Sequence, residues 1–573
     1  MTHDSGVPLR VFVMGLDGAS LNLIEPWVEQ GHLPAFARIM HEGAWGPLES
    51  VPNQRSAAAW TTFMTGKNPG KHGIYEFYEF VPGTYAIRFI HGGMRRGATL
   101  WRLAGQAGRK VGVINVPMTY PAEEVNGFLI AGLDAPGVES KGFCYPPHIY
   151  KRLIQAIGGY TIEPGLTGCI VGGDIDRAVQ RLHEELDQKI AATRFLMHSE
   201  PWDLFVSVFR STDAAHHCFW KYMDPGHPAY RPEEAKRYGG VILSAYRKLD
   251  AFLGELMGRE LGKETLLLIM SDHGCGPKHP ASNQLNQWLE ANGYLSYSTT
   301  SATEAGSTSR LLGALYKALI GKTPRKVKEN LWRWFPTLRD RVQSRLCFAG
   351  IDWKRTRVFS DTLFPILRIN VKGREPLGIV EPGKEYWSLV EELKEKVSAL
   401  KDRQTGTPIV ERVFHRDEIY SGPYVDRAPD LLVRWREDIP ITGVAVEGTA
   451  GSSAPIGTPL IPGEDFRVIS GDHNLNGILM AWGDMVRAGA KIEGATLADL
   501  APTILYAMSL PVPDDMDGKE LSGIFTPEFV ARHPRSRQET SCTPNGTTDR
   551  EQGYSDEEEE TMRERLRGLG YVE

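Results

Sequence analysis

The chain has 573 residues, 41% of them hydrophobic and 24% charged, the make-up of an ordinary soluble globular protein with enough apolar material for a large core. A net charge of -6 and a pI near 6.3 provide no global positive field, so nucleic acid is not expected as a stable partner. The six cysteines (Cys144, Cys169, Cys218, Cys275, Cys347 and Cys542) are scattered without a C-x-x-C pair, which argues against a disulfide framework or a cysteine zinc site and suits a reducing cytoplasm.

The N-terminal MTHDSGVPLRVFVMGLDG lacks the charged and long apolar regions of a signal peptide, and no apolar run approaches the length of a membrane span. Along the chain, the runs RVFVMGLD (10–17), KVGVIN (110–115), LFVSVFR (204–210), TLLLIMSD (265–272) and PDLLVRW (429–435) are apolar on both faces and alternate with helical patterns. That alternation predicts buried parallel strands in a three-layer α/β sandwich. DRAVQRLHEELDQKIAATRFLMH (176–198) is one of the amphipathic helices between them. In VPNQRSAAAWTTFMTGKNPGKHGI (51–74), Ser56 stands where a helix cap is expected, and the same helix start would offer free N–H groups to a phosphate.

Residues 296–347 differ in character: a Ser/Thr-rich opening, STTSATEAGSTS, leads into the basic KTPRKVKENLWRWFPTLRDRVQSRL (322–346). This reads as an insertion, a helical cap. Its arginines, lysines and tryptophans could grip an anionic substrate or rest on an acidic membrane surface, although a solvated helix face with inward tryptophans is the commoner meaning of such a pattern. Residues 533–555 read as a flexible linker, and SDEEEETMRERLRGLGYVE as a docking helix with acids in its first turn, arginines near its end and Gly568 as its stop.

Three predicted strands end at an aspartate: Asp17, Asp213 and Asp272. In a parallel sheet their carboxyl ends open onto one crevice, and three carboxylates there require cations. His217 follows Asp213 by four residues, on the same face of a helix, and His273 follows Asp272 directly. His473, in SGDHNLNGIL, is a third candidate. Mixed nitrogen and oxygen ligands point to two divalent metal ions, Zn²⁺ first and Mn²⁺ second.

The segments GLDG (15–18), RSAAAWTTFMTGKNPGKHGI (55–74), STDAAHHCFW (211–220), SDHGCGP (271–277), SGDHNLNGI (470–478) and ADLAPTILYAMSLPVPDDMDG (498–518) occur in the order seen in the type I phosphodiesterase and nucleotide pyrophosphatase family of the alkaline phosphatase superfamily, which the chain resembles over most of 9–525. The resemblance implies that Asp17, Asp272, His273 and Ser56 hold one metal and Asp213, His217 and His473 the other. It makes Ser56 the nucleophile, attacking phosphorus in line to give a phosphoserine that is then hydrolysed, as well as a cap. Ligands running from position 17 to 473 imply one alkaline-phosphatase-like core over 1–525 with the cap inserted in it, and 526–573 as linker and terminal helix.

Two departures narrow the chemistry. Where the family's nucleotide pyrophosphatases commonly carry an asparagine three residues after HGI, this chain has Phe77, so a phosphate donor is missing. Related sulfatases need proline and arginine where Ala58 and Trp60 stand, which makes sulfate esters improbable. INVKGREP (369–376) and YSGPYVDRAPDLL (420–432) also resemble family sequences without assignable roles. The leading expectation is a cytoplasmic two-metal hydrolase of a small phosphodiester or pyrophosphate. The competing ones are a phosphomonoesterase or phosphotransferase, and a metal-stabilised binding protein without turnover.

Overall fold

Four of the five apolar runs become neighbours in one sheet of the computed structural model, which describes residues 9–298, 348, 350–360, 364–445, 468–539 and 553–569. Leu266–Met270, Val11–Leu16, Leu204–Phe209, Val111–Ile114 and Gly127–Ile130 lie side by side in that order, all parallel. Every residue of Val11–Leu16, Leu204–Phe209 and Leu266–Met270 is buried. Burial of both alternating sets of side chains requires cover on both faces, which is why these strands read as unbroken apolar runs. Helices provide that cover, and the three-layer α/β architecture with a mostly parallel sheet is as expected.

Beyond Leu266–Met270 the sheet turns antiparallel: Asn476–Trp482 pairs with it on one side and with Ala44–Glu49 on the other. Residues from both ends of the sequence therefore complete one ten-stranded sheet. The helix Ile175–Ser199 starts where Asp174 accepts from the Arg177 amide at 3.0 Å, and buries Leu182, Leu186 and Ile190 along one stripe.

PDLLVRW does not join the parallel sheet. Leu431–Trp435 lies between Ile366–Ile369 and Val410–His415 in a separate four-stranded antiparallel sheet. Its run is apolar because helix cover and a second hydrophobic cluster enclose it, while Arg434 stays partly open. The helix Lys384–Ser398 packs there through Tyr386, Leu389, Val390, Leu393 and Val397, at helical spacing. The two segments without assigned roles meet in this unit: Arg374 grips Asp430 through two bonds of 2.7 Å, and Tyr386 donates to the same carboxylate at 2.9 Å. The unit leans on the loop after the Ser56 helix, where Tyr75 donates to the Tyr424 carbonyl at 3.0 Å and the Asn68 amide group to Ser421 at 3.1 Å.

The basic insertion and its possible membrane contact, 322–346, lie outside the described residues, as does much of the 533–555 linker. The terminal helix, Asp556–Gly568, begins with a reciprocal capping box between Ser555 and Glu558. It docks Met562 and Leu566 into the core, and Arg565 donates to the carbonyls of Leu133, Ala135 and Pro136. Gly568 is its last helical residue, one position inside the expected stop, because the Leu569 amide still finds carbonyls of the final turn. Its end reaches a crevice shared with His217. Among the described residues no helix is long and apolar enough to cross a membrane.

Candidate metal centre

Strand register brings the aspartates together. Leu16 is level with Phe209 and Gly15 with Met270, so the chain leaves three adjacent strands at one level. Asp17 follows directly, Asp272 is the second residue after its strand, and Asp213 lies in the first turn of the helix Ser211–Met223. Glycines make the close approach feasible. A Cβ on Gly15 would come within 2.7 Å of the Trp60 ring, which crosses the strand here to donate its indole N–H to Asp17 Oδ2 at 3.2 Å. Gly18, at φ +69°, turns the chain so that its amide donates to Asp272 Oδ1 at 3.2 Å.

Two triads result, in each of which the potential ligand atoms lie within 4.8 Å of one another: Asp17, Asp272 and His273, and Asp213, His217 and His473. His273 Nε2 stands 3.6 Å from Asp17 Oδ1 and 3.4 Å from Asp272 Oδ2. His217 Nε2 stands 3.1 Å from Asp213 Oδ1 and 3.1 Å from His473 Nε2. The helical i, i+4 spacing of Asp213 and His217 thus does place them together. Every residue expected at the site, Ser56, Asp17, Asp213, His217, Asp272, His273 and His473, is brought into it.

Ser56 is not a cap, however. It is the first residue of the helix Ser56–Thr65, the cap position belongs to Arg55, and the Ser56 Oγ is turned to the site, 3.1 Å from His273 Nε2 and hydrogen-bonded to Asp272. The loop ahead of it is bent to suit: Gln54 has φ +52°, a left-handed conformation, and its carbonyl accepts from His473 Nδ1 at 2.7 Å.

The donor set fits cations in three respects. The Nδ1 atoms of His217, His473 and His273 each donate to a backbone carbonyl, of Gly471, Gln54 and Gly274, at 2.7–2.8 Å. That points each Nε2 inward and, with the imidazoles neutral as a bound cation requires, makes it the lone-pair nitrogen, the usual way of orienting a metal-binding imidazole. Two such lone pairs, on His217 and His473, then face each other at 3.1 Å, a repulsive contact that a cation between them relieves. Finally, Asp17 Oδ1 and Asp272 Oδ2 are buried without a hydrogen-bond partner.

Electrostatics agree with that picture. Burial, and then the fields of neighbouring carboxylates, push Asp17 up and Asp272 well above the usual carboxylate range. Burial also acts on Asp213, but the adjacent His217, then His473 and Arg210, hold it well below. Burial, then His273 and His217, drive His473 far down. Three carboxylates and three imidazoles here cannot all keep ordinary protonation states without added positive charge.

Part of that charge is built in. Arg210, 1% exposed, donates from Nε to Asp17 Oδ2 at 3.3 Å and from Nη2 to Asp213 Oδ2 at 3.0 Å. One guanidinium therefore occupies an outer oxygen of an aspartate from each triad and leaves both Oδ1 atoms facing inward. Arg210 is not among the residues expected from the sequence; its signal there is a lone cation closing the apolar run LFVSVFR directly before the acid-bearing helix. Phe77 is fully buried and offers no side-chain donor, whereas Arg55, beside Ser56, lines a cleft that opens next to the site.

Among solved structures the chain is similar to human ectonucleotide pyrophosphatase/phosphodiesterase 5, at 13% identity and TM-score 0.45, covering 90% of this chain and 100% of that one. It is similar also to phosphonoacetate hydrolase from Sinorhizobium meliloti 1021 in complex with phosphonoformate, at 15% identity and TM-score 0.49, covering 88% and 96%. A third is an inactive variant of murine ectonucleotide pyrophosphatase/phosphodiesterase 5 in complex with AMP, at 12% identity and TM-score 0.46, covering 90% and 100%. No curated protein matches the chain. The profile of the type I phosphodiesterase / nucleotide pyrophosphatase family matches residues 11–444, the stretch that carries Asp17, Ser56, Asp213, His217, Asp272 and His273, with His473 beyond its end, and the chain belongs to that family.

Proposed function

We propose that the protein is a cytoplasmic phosphohydrolase that holds two divalent cations, zinc first and manganese second, on its two triads and cleaves a phosphodiester or pyrophosphate bond of a small substrate through a phosphoserine on Ser56. The observation that carries this reading is that the two triads adjoin, with the His273 and His473 rings stacked 3.6 Å apart, that the Ser56 hydroxyl touches the first of them, and that two carboxylate oxygens there have no hydrogen-bond partner. Bound there, divalent ions would lower the pKa of the serine hydroxyl and neutralise charge on the transferring phosphoryl group.

The chain's own residues do the positioning. Ser56 Oγ forms the new bond to phosphorus as the bond to the leaving oxygen breaks, and water later displaces the serine from the phosphoserine. The first-turn amides of the ten-residue helix Ser56–Thr65 begin at the same point and suit an anionic phosphoryl group. Arg210 and Trp60 hold the aspartates in the orientation that keeps their Oδ1 atoms available. The Ser56–His273 contact by itself resembles a serine–base dyad, but a proton relay leaves the two bare carboxylate oxygens unexplained. For the compartment, the support is four described cysteines that are all free thiols.

A phosphomonoesterase or phosphotransferase acting through the same serine is the second reading, favoured by the buried Phe77 in place of a polar donor. The test is Ser56→Ala assayed with zinc on bis-p-nitrophenyl phosphate and on p-nitrophenyl phosphate, alongside metal analysis. Turnover is expected to fall by roughly 10⁴-fold with metal content nearly intact, and the better wild-type substrate separates diesterase from monoesterase. A Ser56→Ala enzyme working at the wild-type rate would remove the assigned nucleophile.

A further inference from the structure

A cleft of about 570 Å³, counting the part open to solvent, begins at Arg55 and runs between the Ser56 side of the core and the four-stranded sheet. Three guanidinium groups lie over aromatic rings around it: Arg55 over Phe364 at 3.2 Å, Arg368 over Phe80 at 4.3 Å and Arg427 over Tyr424 at 4.7 Å from the ring centroids. A guanidinium attracted to a ring face can still donate N–H groups to an anion.

The three differ in their counter-charges. Arg55 is paired with Glu76 at 3.5 Å and Arg427 with Glu79 at 3.5 Å. Arg368 has only the Arg427 carbonyl, at 3.4 Å from Nη2, while its Nε is buried without a hydrogen-bond partner and no carboxylate among the described residues lies within 4 Å. Asp430, whose field reaches it, is taken by Arg374. Burial accordingly pulls the Arg368 pKa below its ordinary value. Strand alternation explains the placement: Leu367 and Ile369 turn into the second hydrophobic cluster, so Ile366 and Arg368 turn to the cleft. Arg368 is thus a half-buried cation at the cleft whose neighbouring carboxylates are paired elsewhere, so its guanidinium can meet an anion that enters there.

We infer that the cleft receives the part of the substrate that does not react, and that Arg368 binds a second acidic group there, a carboxylate or a phosphate, remote from the phosphorus attacked by Ser56. This rests on the phosphohydrolase reading of the Ser56 site. It narrows the substrate class to phosphoesters carrying a separate anionic group.

The test uses three zinc-dependent substrates with one reacting centre: 4-nitrophenyl phenyl phosphate, 4-nitrophenyl 4-carboxyphenyl phosphate and 4-nitrophenyl 4-phosphonophenyl phosphate. Wild type is expected to favour at least one charged ester, and Arg368→Gln to reduce the charged-to-uncharged ratio of kcat/KM by about tenfold, through KM, with Arg368→Lys recovering part of it. The preferred charged ester identifies the acidic group. A ratio identical in wild type and Arg368→Gln would overturn the inference. If wild type turns over none of the three, titration of zinc-loaded Ser56→Ala with phenyl phosphate and 4-carboxyphenyl phosphate decides separately. Preference for the carboxylated ligand, lost in the Ser56→Ala/Arg368→Gln double variant, keeps the subsite and discards only the hydrolase reading, whereas equal binding discards the subsite.

Discussion

The two triads are built differently although both rely on aspartate and histidine. Asp17, Asp272 and His273 are fully buried, carry two carboxylates to one imidazole and adjoin Ser56. Asp213, His217 and His473 carry one carboxylate to two imidazoles, and the His217 side chain is 11% exposed at the crevice reached by the terminal helix. The acidic, closed triad can tolerate its charge only with a cation in place, whereas the imidazole-rich one can relax toward water. The difference teaches that the triads are not interchangeable, and that a cation on the triad beside Ser56 would be held more tightly and exchanged more slowly than one on the other.

Chemical rescue breaks or sharpens that contrast most strongly. His273→Gly and His217→Gly should each lower kcat/KM by roughly 10³-fold. Free imidazole is expected to restore activity to His217→Gly, whose site a crevice reaches, and to leave His273→Gly inactive; equal rescue of both would erase the distinction. Next in size is Arg210→Met, which leaves Asp17 and Asp213 without their shared counter-charge. Urea unfolding of the metal-free protein should show a loss of about 3–5 kcal/mol, reduced when zinc is present, and an unchanged unfolding curve would contradict the role given to Arg210.

The smallest effect concerns an imidazole that serves as the counter-example. His72 sits under the Ser56 helix, accepting from the Ile74 amide at 3.2 Å through Nδ1 and donating to Thr62 at 3.0 Å through Nε2. Burial, then the fields of Lys67 and Arg95, pull its pKa down to about 3. Above pH 6.5 it is neutral in both folded and unfolded chains. As pH falls below 6.5 the unfolded chain takes up the proton first, so stability is lost with falling pH, by roughly 2 kcal/mol at pH 5. The difference in stability between wild type and His72→Gln should shrink by that amount between pH 7 and pH 5. A difference constant over that range would show that His72 takes up its proton as readily in the fold as in the unfolded chain.

The site was more legible than the frame around it. Asp17, Asp213 and Asp272 each follow an apolar run, and strand polarity alone sends them to one crevice. His217 follows from helical spacing. What sets the outer shell is not periodic: Gly471, Gln54 and Gly274 act through carbonyls, which every residue has, so their side chains carry no trace of the role. Arg210 was hidden because a cation after a strand usually means a surface turn. Leu431–Trp435 went to the wrong sheet because a short apolar strand has the same pattern whether helices cover it in a parallel or an antiparallel sheet. The antiparallel pairing of Asn476–Trp482, far along the chain from Ala44–Glu49, depends on closure of the whole sheet and leaves no local mark.

The central claim is that side chains from position 17 to position 473 hold two cations beside one serine. Anomalous diffraction from crystals grown with zinc tests it most directly. Two zinc peaks are expected about 4 Å apart, one within about 2.0–2.2 Å of ligand atoms of Asp17, Asp272 and His273 and the other equally close to those of Asp213, His217 and His473. Zinc bound elsewhere, or a single peak shared by both triads, would contradict the account.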